Sequence, residues 1–160
     1  MINHFNGYLS KKKRSKDEEY MQLALKEAEM CKSNGEAARG AVIVFPNSHI
    51  SAGQTVFAEH DPLGHSEMNA LRKACLMTNK SFKEAILYST VEPCAMCFAA
   101  IYEHGIREVV FGCWDDVNGA ISSSRGLIVE NFNISFLGGV LAESCYTMCT
   151  PTLRESLRYK

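Results

Sequence analysis

The sequence predicts an α/β fold in three layers, with a mixed five-stranded sheet between helices. Short apolar, β-branched runs alternate with helical patterns in the order α-β-β-α-β-α-β-β-α. The 160 residues are one domain's length, and with 46% of them hydrophobic they can fill one core. No internal repeat, interdomain linker or low-complexity tract divides the chain.

Residues 1–15 read as a flexible basic arm carrying Lys11, Lys12, Lys13 and Arg14. Such a run is usually solvated, and contact with a phosphate backbone is its functional alternative. Residues 16–160 form the folded domain. Ser15 with Glu18 reads as a capping box that starts the first helix. Tyr20, Ala24, Ala28 and Cys31 follow at helical spacing, and Gly35 stops the helix. Gly40 to Phe45 is an apolar strand, Pro46-Asn47 a turn, and His49 to Gly53 its hairpin partner.

Asp61 to Gly64 is a loop, and a helix runs from His65 to about Lys80, with Leu71, Ala74, Cys75 and Thr78 on one face. Ile86 to Val91 is a buried-type strand. Pro93 then opens a helix at its favoured first-turn position, and Gly105 ends it. Ile106 to Phe111 and Phe132 to Leu137 read as the last strands, either side of a Gly/Ser/Asp-rich loop. Leu141 to Cys149 reads as helical, with Thr150-Pro151 breaking it.

Formal net charge is −1 and the pI is near 6.5, so overall charge demands no polyanionic partner, although a local patch can still exist. No run of roughly 18 apolar residues occurs, so no membrane span is expected. The start, MINHFNGYLS, lacks the basic-then-apolar pattern of a signal peptide, and a cytoplasmic setting is expected. The seven cysteines are an odd number without a secretory signal, which argues for metal binding or burial over disulfides. Cys145 and Cys149 read as core packing, as do Cys31, Cys75 and Cys113.

Two motifs carry chemistry: His65-Ser66-Glu67, and Pro93-Cys94-Ala95-Met96-Cys97 preceded by Glu92. Both sit where a helix begins. Cys94 and Cys97 share a helix face, and a helix start favours the thiolate form that binds zinc. His65 adds an imidazole. Three such ligands leave one tetrahedral position open, as in catalytic rather than structural zinc sites. Glu67 is the candidate acid/base, close enough to reach a water without ligating the metal.

The H-x-E and P-C-x-x-C pair resembles the pattern of the zinc-dependent nucleobase deaminases. Gly40-Ala41-Val42, Asp61-Pro62, Arg107 to Gly112 and Gly119-Ala120 extend the resemblance over residues 18 to 149. The branch it points to holds tRNA adenosine deaminase, guanine deaminase and fungal cytosine deaminase, within the cytidine/deoxycytidylate deaminase superfamily. The resemblance implies a cytidine-deaminase-like fold, one Zn2+ per chain and a homodimer. It also implies that Glu67 is the acid/base and not a ligand.

The chain departs from the pattern at several positions. Gln54 stands where the family usually has a substrate-binding Asn, and Ala38-Arg39 where it often has Pro-Val. Val117 replaces a Lys common in the tRNA enzymes, and the basic C-terminal helix is reduced to Arg154, Arg158 and Lys160. Gln54 is a candidate substrate contact on family position. Trp114 and Asp115 are candidates because ligands gather at the C-terminal ends of strands. His60 is a candidate for the pocket mouth, and His104 reads as a helix end that suits a cation.

Three functions compete on the sequence. The first is a deaminase of a small molecule, an amino-purine base or nucleoside, placed ahead because basic residues and stacking aromatics are sparse. The second is a tRNA-specific adenosine deaminase. The third is a non-catalytic zinc-stabilised binding module, which the intact Glu67 argues against.

Overall fold

Every residue of the run Gly40–Phe45 is buried, as expected of a strand covered on both faces. In the computed structural model this run is β1. The structure describes residues 11–77, 79, 81–123 and 132–156. In chain order the elements are α1 (Lys11–Ser33), β1, β2 (Ser48–Gly53), α2 (Ser66–Met77), β3 (Ile86–Val91), α3 (Ala95–Glu103), β4 (Glu108–Cys113), β5 (Ser135–Gly138) and α4 (Ala142–Ser156).

The sheet order is β2-β1-β3-β4-β5. The Pro46-Asn47 turn makes β1 and β2 an antiparallel hairpin, and β1 also runs antiparallel to β3. β3, β4 and β5 are parallel, because α3 carries the chain back between β3 and β4. Helices α1 and α4 pack on one face of this mixed sheet, and α2, in contact with α3, packs on the other. The strand period of two divides the core between the faces. Ala41, Ile43, Leu87 and Phe111 meet Ala70, Leu71 and Ala74 of α2. Val42, Tyr88 and Val110 meet Met21 and Ala24 of α1 and Cys145 and Cys149 of α4. The expected three-layer fold is therefore present.

Gly40 shows how tightly α1 sits on β1. A Cβ there would lie 1.9 Å from the Ala24 carbonyl oxygen, so only glycine lets the two backbones approach. Among the described residues no helix is long and apolar enough to cross a membrane.

Several local expectations are corrected. Helix α1 already runs at Lys11, so the basic run is helical and Ser15 is not its cap. The start of the expected arm, residues 1–10, lies outside the described residues, as do Thr78, Lys80 and residues 157–160. Cys94, not Pro93, borders α3: Cys94 is the N-cap and Pro93 precedes it. Cys75 is exposed, because the buried stripe of α2 is Ala70, Leu71 and Ala74. Strand β5 begins at Ser135 instead of Phe132. Helix α4 continues through Pro151 to Ser156. A proline removes one ladder hydrogen bond, which a helix can tolerate.

Candidate metal centre and active site

Two helix starts meet at one point. His65 immediately precedes α2, and its carbonyl accepts from Asn69 N at 2.9 Å. Cys94 caps α3 in an extended conformation, φ −71° and ψ 169°, and its carbonyl accepts from Phe98 N at 2.8 Å. Cys97 lies one turn into α3. His65 Nδ1 is 3.7 Å from Cys94 Sγ and 3.5 Å from Cys97 Sγ. A tetrahedral zinc with ordinary Zn–N and Zn–S bonds sets its N and S ligands about 3.6 Å apart. The three donors, all within 4.8 Å of one another, therefore fit one Zn2+ without rearrangement.

Of the three donors, Cys94 already holds the charge of a metal ligand. The Cys97 thiol donating to Cys94, and then the imidazole of His65, hold Cys94 down at about 4 against the effect of burial. Cys94 is thus a thiolate at neutral pH. Its hydrogen bond with His65 pushes the imidazole pKa up. Cys97 is pushed well up by its role as donor to Cys94, then by burial and by Glu67. Metal binding displaces those protons, which couples affinity to pH. Helix starts also present unpaired N–H groups and the positive end of the dipole, favouring negative charge at the junction.

Glu67, in the first turn of α2, is buried, and its Oε2 lies 3.7 Å from Cys97 Sγ. Ser89 Oγ donates to its Oε1 at 2.9 Å and Ser66 Oγ to its Oε2 at 3.1 Å. Here a carboxylate stands beside the metal position without belonging to the ligand set.

Buried carboxylates also hold the surrounding loops. Glu92, just before Pro93, accepts from the backbone N–H groups of Asp115, Ile121 and Ser122 at 3.0, 2.8 and 2.8 Å. With the Cys94–Gly119 bridge and the bond from Ala120 N to Pro93 O, it ties the loop after β4 to the cysteine turn. Glu36 plays the same part for the loop after β2, accepting from Phe57 N at 2.8 Å and Ala58 N at 3.2 Å. Asn69 Nδ2 closes that loop on Gly53 O and Gly64 O. Sequence reasoning assigned no role to Glu36, Glu92 or Ser89. Only the adjacency of Glu92 to the cysteine motif could have marked it.

The structure brings His65, Glu67, Cys94 and Cys97 together. It treats the other candidates differently. Gln54 donates its Nε2 to Glu36 at 3.2 Å. Asp115 turns inward: its Oδ1 accepts from Val117 N and Asn118 N, which makes it a cap for its own loop. Trp114 remains 43% exposed at the end of β4, edge-on to Phe111 at 4.7 Å. His60 is an exposed loop residue at φ 51°, and His104 caps α3 at its C-terminal end. Cys145 and Cys149 are buried in the core, and among the described residues only His65, Cys94 and Cys97 group as a metal set.

A metal position at paired helix starts, with a carboxylate beside it that is not a ligand, is the arrangement that zinc-dependent nucleobase deaminases use for hydrolysis. The chain belongs to the cytidine and deoxycytidylate deaminase family, whose zinc-binding region matches residues 14–113. It is similar to the tRNA-specific adenosine deaminase of Bacillus subtilis (strain 168), 32% identical over 151 residues, covering 91% of this chain and 94% of that one. The tRNA-specific adenosine deaminase of Haemophilus influenzae is 35% identical over 135 residues, 81% of this chain and 78% of that one. Among solved structures, a chain from work on A-to-I editing by tRNA:A34 deaminases superposes with a TM-score of 0.73 at 29% identity, covering 81% of this chain and 98% of that one. The guanine deaminase of Bacillus subtilis superposes with a TM-score of 0.57 at 31% identity, covering 61% and 64%. The protein is a hydrolytic deaminase with one Zn2+ as cofactor.

Proposed function

We propose that this chain is a tRNA-specific adenosine deaminase, which converts an adenosine of a tRNA loop to inosine and releases ammonia. The carrying observation is the 32% identity to the Bacillus subtilis tRNA-specific enzyme across nearly the whole of both chains. This reverses the order taken from the sequence, where a small molecule stood first. Net charge is an average over the surface, whereas an enzyme acting on one extruded base needs only local contacts.

In this reading His65, Cys94 and Cys97 would hold the zinc, and the chemistry it would supply is the acidification of a water toward neutral pKa. Glu67 carries one proton of the attacking water to the ring nitrogen, then the second, from the hydroxyl that attack leaves on the ring carbon, to the amine, which departs as ammonia as the carbonyl forms. Trp114 offers an exposed aromatic face on which a loop base can stack. Gln54 and Asp115 are weaker contacts, since Glu36 and the 117–118 backbone already engage them. A homodimer and a cytoplasmic setting accompany this reading.

A free purine is the second reading, favoured by the likeness to guanine deaminase. The non-catalytic module is not carried forward, because the relatives are enzymes. The deciding assay incubates the zinc-loaded protein separately with a tRNA anticodon stem-loop, adenosine and guanine. Inosine in the digested RNA, with little ammonia from the free compounds, is the expected result. Ammonia from guanine or free adenosine, with the stem-loop untouched, sinks the tRNA assignment.

A further inference from the structure

Ser89 lies inside β3, where it is the register partner of Ala41 on one side and Phe111 on the other. Its side chain reaches the α2 face of the sheet. The neighbours on that face are apolar: Ala41, Ile43, Leu87 and Phe111. One hydroxyl in this layer, 1% exposed, needs a partner, and it has one in Glu67 Oε1 at 2.9 Å. Ser66, equally buried, donates to the other oxygen at 3.1 Å. Glu67 is therefore gripped on both oxygens, from its own helix and from a strand 22 residues away in sequence.

We infer that Ser89, with Ser66, is a positioning residue that fixes the carboxylate plane of Glu67 for its proton transfers. A glutamate side chain has three rotatable bonds, and its terminal torsion is broad. A serine donor on each oxygen, joined on Oε2 by the Cys97 thiol, fixes that torsion before substrate arrives. Oε1, with a single donor, keeps lone-pair capacity for water or substrate. The rigid sheet supplies the Ser89 contact, so the geometry does not depend on the mobility of a loop. The inference rests on the acid/base role proposed for Glu67 and not on the identity of the substrate.

The test uses zinc-loaded wild type, Ser89→Ala, Ser66→Ala and Ser89→Thr, with whichever adenosine or purine substrate wild type converts. Ser89→Ala is expected to lower kcat by roughly 10–100-fold, the scale of an ångström-level misplacement of a reacting group. KM should stay within about threefold, because the loss falls on the transition state. Zinc should remain at one per chain. Ser89→Thr keeps the hydroxyl and should recover most of the turnover, which a purely packing role would not require. Crystal structures of zinc-loaded wild type and Ser89→Ala give a readout independent of activity: the Glu67 carboxylate should rotate or split in the variant.

A kcat within twofold of wild type for Ser89→Ala, or an unmoved Glu67 carboxylate, overturns the inference. If Ser89→Ala does not fold, Ser89→Cys takes its place. It is nearly isosteric and a weak donor, so intermediate turnover is expected and wild-type turnover overturns the inference. Failure of wild type to convert tRNA would remove the tRNA assignment alone, and the Glu67 positions in the crystals would still decide this point.

Discussion

Gly119 lies directly against the carboxylate of Glu92: a Cβ on Gly119 would sit 2.3 Å from the carboxylate carbon. The contact is close because Glu92 gathers several N–H groups of the following loop at once. Gly119→Ala must push either the carboxylate or the loop away. Overpacking of this kind costs about 1–3 kcal/mol. A lowered unfolding midpoint in urea, together with reduced turnover, is expected, because the loop pairs with Cys94 through Gly119. Unchanged stability and activity would mean the loop yields without consequence.

Removing the thiols tests the metal. The double variant Cys94→Ala, Cys97→Ala leaves His65 as the only donor of the set. One imidazole does not hold zinc against dialysis, so elemental analysis should find about one zinc per chain in wild type and almost none in the variant. Wild type should also lose thermal stability on chelation, since a ligand bound only by the folded state stabilises it. Full zinc retention by the double variant would remove the proposed centre.

Glu67→Gln separates chemistry from metal binding. The amide nearly matches the carboxylate in shape and can still accept from a serine, but it cannot carry a proton. Zinc content and unfolding midpoint should stay close to wild type. Turnover should fall by at least about 10²–10⁴-fold, the usual contribution of a positioned acid/base. Near-normal turnover would assign proton transfer to another residue.

The site was legible in the sequence because its parts are local. His65 with Glu67, and Cys94 with Cys97, are each fixed by one helix start, and short spacings are visible in a string. Gly40–Phe45 was legible because a fully buried strand leaves an unbroken apolar run, and Ile86–Val91, interrupted by Ser89 and Thr90, because of its β-branched and aromatic residues. Long-range contacts were not legible. Ser89 meets Glu67 and Glu36 meets Phe57 only after the sheet and loops assemble. Asp115 looked like a ligand-facing acid at a strand end, yet an aspartate there equally caps its own loop. The capping pattern at Ser15 does not mark the start of α1, because a Lys-rich stretch of good helix propensity carries the helix back to Lys11. The substrate order that the sequence suggests rests on total charge, which says little about where a few basic residues lie, and the identity to tRNA-specific relatives weighs against it.

Far from the metal, Tyr88 and Asp17 make the fold sensitive to alkali. The Tyr88 hydroxyl donates to Asp17 Oδ1 at 2.8 Å, joining β3 to α1, and both residues are buried. Burial first, and then the Asp17 carboxylate beside it, push the phenol well above its ordinary value of 10.0. The folded-state pKa is therefore raised over the unfolded one. Below about pH 10 both states hold the proton and the contribution is complete. Above that, the unfolded chain releases a proton that the folded chain keeps, so stability falls with rising pH, by up to about 1.4 kcal/mol per pH unit for this group. Tyr88→Phe should be less stable than wild type at neutral pH by about 1.5–3 kcal/mol, the scale of a hydrogen bond to a charged group. The gap should then narrow from about pH 9 to about pH 11, because the variant has no phenol to titrate at this position. Urea unfolding of the two proteins across that range measures it. A gap that stays constant would show that Tyr88 titrates normally in the fold, and that the bond to Asp17 does not hold its proton.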